Sequence, residues 1–454
     1  MMERQEKVPA TQAGKTAPGD TEYEFLLPFP QPMTRPRMAV PSDEWIYLAN
    51  VESGMDVSTL FVARTARNGD VDTSFGRGGW IAEFVEIRFG EPIGLWVREG
   101  GGVLAAVKDS VDSRLEVALI CFTEAGELDS TFGDGGKIIH RIEVPGSSSE
   151  STSSKAASDV AEHGQAAGSG TAFAATGDGT FYCLLGTGNG PFYALMRLQS
   201  DGTLDTRFNG TGYVTDGEWA YRQWGATSIV VGSDARVTVL GEFYDVTAVP
   251  DRRLVAWRFD QDGSIDRSFG DDGYAFFDAD AADVAPENLY QMSFDHAASL
   301  PDGGVAVCGA LTTVSGTTYQ RFGLLACLDA SGKPLDTFNR GKFLLYGVMG
   351  EYGTDFRGGI AVQGDGKIVV GGGVSESLVT DSELLVARFQ PSGSRDLTFG
   401  DGGARRFKGK GAQVNYMRHL LIDSKGNILV AAIGGPNNSG SSMWPFVFQL
   451  TGGQ

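Results

Sequence analysis

Two of the four histidines in this 454-residue chain stand in short polar segments shared with arginine, aspartate and aromatic residues. His296 lies in QMSFDHA beside Asp295, and His419 lies in VNYMRHL with Tyr416 and Arg418. TRPRMAV supplies Arg35 and Arg37, RQWGATS supplies Trp224, and TDFRGGI supplies Arg357. Each segment leads into an apolar hairpin. Arginine offers forked donors to a carboxylate or phosphate, tryptophan and tyrosine offer flat apolar faces, and histidine exchanges protons near neutral pH. Together they form a candidate site for a small polar or anionic ligand: Arg35, Arg37, Trp224, Asp295, His296, Arg357, Tyr416, Arg418 and His419.

The same residues could serve a hydrolase or lactonase, with Asp295, His296, His419 and the arginines as its machinery. That chemistry needs a base oriented by a second group and a donor for the developing oxyanion. Adjacency of Asp295 and His296 gives it little support, because consecutive strand residues point to opposite sides. No GxSxG elbow, HExxH pair, P-loop or dinucleotide fingerprint occurs. No catalytic residue, metal ligand or cofactor is assigned. The leading expectation is a non-enzymatic protein that binds a ligand or a partner protein. A scaffold in a larger assembly is the third alternative.

The elements that must position these residues repeat along the chain. LDSTFGDGGK at 128–137 returns as VDTSFGRGGW at 71–80, LDTRFNGTGY at 204–213, IDRSFGDDGY at 265–274 and RDLTFGDGGA at 395–404. LDTFNRGKF at 335–343 is one residue shorter. Its marker phenylalanines, Phe75, Phe132, Phe208, Phe269, Phe338 and Phe399, are separated by 57, 76, 61, 69 and 61 residues. A period near sixty with Gly/Asp turns between short apolar runs means stacked β-units. Each unit reads as an apolar hairpin, as in GIAVQGDGKIVVGGG, then a third strand, as in LLVARFQPSGS, then the LDxxFGxxG turn and a last short strand. Asp-Gly pairs supply the positive-φ positions of the hairpin turns.

There are seven hairpins and seven third strands but six LDxxFGxxG turns, and EYEFLLPFP at 22–30 stands where the missing last strand belongs. The expected fold is therefore an all-β, seven-bladed β-propeller of four-stranded antiparallel blades, its ring closed by the N- and C-terminal strands. Closure removes the free sheet edges. The mouth of its central channel is lined by the residues entering each innermost strand. Aligning the hairpins makes Arg37, Gly94, Ala172, Ser228, His296, Gly359 and His419 equivalent there.

The run AVQGDGKIVVGG, LLVARFQPSGS, RDLTFGDGGA resembles the delta-60 repeat family of bacterial β-propellers over residues 21–454. The resemblance implies a propeller and no particular reaction, since the fold hosts many functions. LDTFNRGKF and the first hairpin, AVPSDEWIY, depart from the family pattern. In LDxxFGxxG the aspartates Asp72, Asp129, Asp205, Asp266, Asp336 and Asp396 recur singly, too few oxygens for a calcium loop. They are expected to cap their own turns, with the phenylalanine packed between blades.

Composition bounds the rest. A net charge of −20 disfavours nucleic acid and anionic membranes as partners. No run reaches the length of a membrane span, and a monomer is expected. Cys121, Cys183, Cys308 and Cys327 lie in apolar runs without CxxC spacing. They read as buried thiols, and Cys308 and Cys327 could neighbour each other on adjacent strands. Residues 1–20 read as a disordered tail without a signal peptide, which leaves the compartment open between cytoplasm and export without a cleaved signal. Residues 145–170, rich in Ser, Ala and Gly, read as a flexible loop insertion. His140 and His163 lie in that weak loop region and are expected to be exposed and inert.

Overall fold

The computed structural model describes residues 17–26, 35–42, 44–109, 115–142, 172–186, 193–215, 222–245, 251–348, 353–375, 382–436 and 443–452. The expected insertion at 145–170, His163 and residues 1–16 of the expected tail lie outside the described residues.

Short apolar runs broken by Gly-containing turns give an all-β chain. The strands are β1 (Thr21–Leu26), β2 (Arg37–Ala39), β3 (Trp45–Glu52), β4 (Ser58–Ala66), β5 (Trp80–Val85), β6 (Gly90–Val97), β7 (Val103–Asp109), β8 (Leu115–Phe122) and β9 (Lys137–Ile142). They continue with β10 (Phe173–Ala175), β11 (Phe181–Gly186), β12 (Tyr193–Leu198), β13 (Tyr213–Thr215), β14 (Arg222–Val231), β15 (Val237–Asp245), β16 (Asp251–Phe259) and β17 (Tyr274–Phe277). The third group is β18 (Leu289–Ser299), β19 (Val305–Ser315), β20 (Thr318–Leu328), β21 (Leu344–Tyr346), β22 (Gly353–Val362), β23 (Ile368–Ser375), β24 (Ser382–Phe389) and β25 (Ala404–Phe407). The last are β26 (Val414–Ile422), β27 (Ile428–Gly435) and β28 (Trp444–Leu450).

The expectation of seven separate blades is corrected by the sheet topology, which holds five four-stranded blades. They are β2–β5, β6–β9, β10–β13, β14–β17, and β26–β28 with β1. The remaining strands form one eight-stranded sheet, in the order β18-β19-β20-β22-β23-β24-β25 with β21 also on β20. Strands β18, β19 and β20 run to 11 residues each. Near its start β20 makes a parallel bridge, Arg321 to Gly353, that joins β22 to it.

The core lies between the sheets. One apolar cluster joins Leu104, Leu119 and Cys121 to Cys183, Met196 and Leu198. Another joins Leu48 and Ala63 of the first blade to Ala431 and Val447 of the last. The middle strands are buried on both faces, and hence read as continuous apolar runs rather than alternating ones. The marker phenylalanines are each buried to 0 or 1% exposure. The four cysteines are buried and free.

The aspartate of each full-length LDxxFGxxG turn does two jobs. Asp72 Oδ1 accepts from the Ser74 N–H and hydroxyl, as a turn cap. Its Oδ2 accepts from Arg64 Nε at 2.6 Å. Arg64 stands eight residues earlier, and the same spacing pairs Arg197 with Asp205, Arg258 with Asp266 and Arg388 with Asp396. The other arm of each arginine reaches a backbone carbonyl in the following unit: Glu124, Gln261, Ala330 and Gly452 respectively. In two units a cysteine holds the arginine's place. Cys121 is one, and there Arg98 comes in from β6–β7 to bond Asp129. Cys327 is the other. Its carbonyl accepts from Leu335 N–H as the arginine carbonyls do from Asp N–H elsewhere, so Leu335, not Asp336, occupies the aspartate's place in the shortened copy.

Candidate functional site

The first strands of successive units neighbour one another around the centre in the order β2, β6, β10, β14, β18, β22, β26 and back to β2. Five of them carry a bulge near their entrance. The register with the second strand shifts between Pro92 and Gly94, Ala226 and Ser228, Phe294 and His296, Asp355 and Gly359, and Met417 and His419. A bulge leaves an extra residue out of the ladder and re-aims its neighbours. Here the extra residues are Ile93, Thr227, Asp295, the Phe356–Gly358 stretch and Arg418.

Backbone carbonyls at the bulges are bonded across to adjacent units. Arg37 Nε donates to Pro92 O and its Nη1 to Arg418 O, both at 3.1 Å, so one side chain ties β2, β6 and β26. His296 Nε2 donates to Arg357 O at 3.1 Å. Thr227 Oγ1 donates to Phe294 O at 2.5 Å. Met38 N–H donates to His419 Nδ1 at 3.2 Å, so that nitrogen carries no proton. Gly94 belongs to the same ring, where a Cβ would lie 2.5 Å from the Phe173 ring. The next inner strand comes too close for a side chain.

Both ring histidines are neutral. Burial, followed by the Arg37 charge, pushes His296 down to about 4 and His419 down to about 3. His140, expected to be exposed, is instead half-buried on β9 and bonds Gly202 O at 2.8 Å.

The charged residues divide into two neighbourhoods. In one, Ser293 hydroxyl donates to Asp295 Oδ2 at 2.7 Å, and Arg357 Nε lies 3.7 Å from the same oxygen. Arg321 is 4.0 Å from Asp355. Burial raises Asp295 against the pull of Arg357. Burial also works against the Arg357 charge, but Asp295, Asp355 and Glu242 outweigh it and hold its pKa above the ordinary value.

The other neighbourhood is basic. Arg35 pairs with Glu91 at 2.5 Å, and Lys108 is 3.8 Å from the second Glu91 oxygen. Arg37 is pushed down to about 10 by burial, with Glu91 opposing and Arg35 adding to the shift. Arg418 is likewise pushed down to about 10, by burial and then by Arg35 and Arg37. Its guanidinium lies 5.4 Å from the centre of the Tyr416 ring.

Arg35, Arg37, Arg418 and His419 are thus brought together, with His296 near enough to feel Arg37, while Asp295 and Arg357 form an ion pair in the other neighbourhood. Trp224 enters on β14 opposite Phe243. Glu91 and Lys108 were not in the expected set. Glu91 precedes the β6 ring position as Arg35 precedes that of β2. Lys108 sits on a second strand, where the entrance segments gave no sign of it.

Blades of antiparallel strands around a common centre make this a β-propeller. The family model described as "Domain of unknown function (DUF5122) beta-propeller" matches residues 176–208, 232–269 and 363–399. No curated protein matches. Among solved structures the chain is similar to a protein of unknown function from Dyadobacter fermentans, at 11% identity over 95% of this chain and 99% of that one, TM-score 0.43. It is also similar to Drosophila Semaphorin 2a, at 8% identity over 98% and 77%, TM-score 0.50. A polysaccharide lyase of family PL25, an ulvan lyase, is similar at 9% identity over 97% and 96%, TM-score 0.46. Such identities speak to the fold alone.

Proposed function

We propose that this chain is a non-enzymatic β-propeller, of the delta-60 repeat kind, that binds a small polar or anionic ligand or a partner presenting one at the channel mouth. The observation that carries this reading is the convergence of Arg35, Arg37, Glu91, Lys108 and Arg418 from four strands on one corner of an acidic protein. Four cationic groups face one carboxylate there, so the corner forms a local positive field able to draw in an anion. The ring histidines favour binding over general-base chemistry. Each is neutral and held by a backbone group, and neither is oriented by a carboxylate.

The test is a thermal-shift and calorimetric screen of anionic, neutral polar and cationic small molecules against the whole chain. Anionic hits whose affinity falls at least about tenfold in Arg35→Glu support the reading. A screen returning only cationic hits, or hits insensitive to that substitution, refutes it.

A further inference from the structure

Deepening that ligand-binding reading, and resting on it, we infer that Arg418 and Arg35 form an oxyanion fork that takes the carboxylate or phosphate group of the ligand. Arg418 is the extra residue of the β26 bulge. Its backbone carbonyl is already engaged by Arg37. Its side chain is not matched in the same way. The Arg418 Nε is buried with no hydrogen-bond partner, and no ion pair to the guanidinium is formed among the described residues. Its close neighbour is the face of Tyr416.

A guanidinium stacked on a ring keeps its N–H edge free, and that edge matches the two oxygens of a carboxylate or phosphate. The surrounding charges make the unmatched cation costly. Arg35 and Arg37 repel it, and Glu91, the carboxylate within reach, is shared with Arg35 and Lys108. The fully buried arginines of this fold have carboxylate or backbone-carbonyl partners. Arg64, Arg258 and Arg388 have both, and Arg37 has two carbonyls. Arg418 has neither among the described residues. Arg418 is half-buried, and the Arg35 side chain is 32% exposed. An anion from solution can supply what the chain does not. Arg37 is a positioning residue in this scheme, since it holds the Pro92 and Arg418 carbonyls.

The experiment titrates the whole chain with inorganic phosphate, with acetate and with citrate, each against chloride at constant ionic strength, and reads the melting temperature. Wild type should rise by at least about 2 °C with an oxyanion. The phosphate and carboxylate arms identify which group the fork prefers. Arg418→Met should melt at or above wild type without oxyanion, because an unmatched buried charge and its repulsion are gone, and should lose the response. Arg35→Gln, a change at a partly exposed residue, should keep its fold and weaken the response. No oxyanion response in wild type, or an undiminished one in Arg418→Met and Arg35→Gln, overturns the inference. A neutral ligand that binds the mouth independently of Arg418 would also overturn it, while leaving the broader ligand-binding reading standing.

Discussion

Gly19, near one end of the chain, donates its N–H to Thr451 O at 2.7 Å, near the other, and Thr451 N–H donates to Asp20 O at 2.9 Å. The same two bonds close the turn after β8, where Gly126 donates to Thr123 O and Thr123 to Glu127 O. Gly400 donates to Pro18 O as Gly76 does to Ala125 O. Gly452 accepts from Arg388 as Glu124 accepts from Arg64. A turn that other units make from continuous chain is here rebuilt from both termini. Residues 17–20, within the segment expected to be a tail, belong to it. From it β1 pairs antiparallel with β28, Phe25 opposite Val447 and Leu26 opposite Phe446.

Removing residues 1–26 should therefore cost the fold heavily. It strips β1, exposes the β28 edge and opens the split turn. Removing residues 1–16 leaves all of that in place. Differential scanning calorimetry should show a melting temperature lower by at least about 5 °C for the longer deletion, with little change for the shorter. Equal melting of the two would show that closure contributes nothing.

Arg388 and Asp396 are 1% and 2% exposed and lie 2.9 Å apart. Truncating one partner strands the other, so Arg388→Met should cost about 3–5 kcal/mol in urea unfolding. Replacing both should cost far less than the sum of the single changes. The chain already contains such a double replacement, Cys327 and Leu335. Additive losses in a Arg388→Cys, Asp396→Leu cycle would contradict this account.

Arg98 stands in for the arginine that Cys121 displaced, bonding Asp129 at 3.1 Å. The pair is partly exposed, at 30% and 21%, so solvent screens it and Arg98→Met should cost no more than about 1 kcal/mol. Adding Cys121→Arg should recover that loss, since position 121 is where Arg64, Arg197, Arg258 and Arg388 stand in their units. Failure of the second change to rescue the first would show that the β8 unit no longer accommodates the repeat's own arginine.

Acid should weaken the fold before its lowered aspartates titrate. His296 and His419 are depressed to about 4 and about 3, so below pH ~6.5 the unfolded chain takes up protons that the folded chain refuses. Stability is full above ~6.5 and falls as pH drops toward 4, by up to ~1.4 kcal/mol per pH unit for each histidine. His140 is lowered too and adds in the same sense. Asp295, being raised, opposes the trend in acid. The lowered aspartates, such as Asp178 at about 2, act only below about 3.8. His296→Gln with His419→Gln keeps a donor and an acceptor at the two sites and should flatten the slope of urea-derived stability between pH 6.5 and 4. An unchanged slope would place the proton uptake elsewhere.

The repeat, the hairpins and the pairing of the terminal strands are legible in the sequence because they rest on local signals: apolar runs, Asp-Gly turns and a recurring Phe-Gly. The ring alignment is legible too, since Arg37, His296 and His419 all directly precede the same hairpin pattern. Other features depend on which chain segments meet. The bridge from Arg321 to Gly353 joins strands of two units, a contact between segments far apart in local pattern. The shift of Leu335 into the aspartate's place follows from the ladder to Cys327, which the one-residue deletion conceals. Bulges turn the ring side chains toward adjacent strands, so His296 and His419, polar and mobile by type, become neutral cross-ties. The isolation of Arg418 could be seen only once tertiary packing had set Arg35 and Arg37 beside it and committed Glu91 to Arg35 and Lys108. Charge matching acts through space, and spacing along the chain carries no record of it.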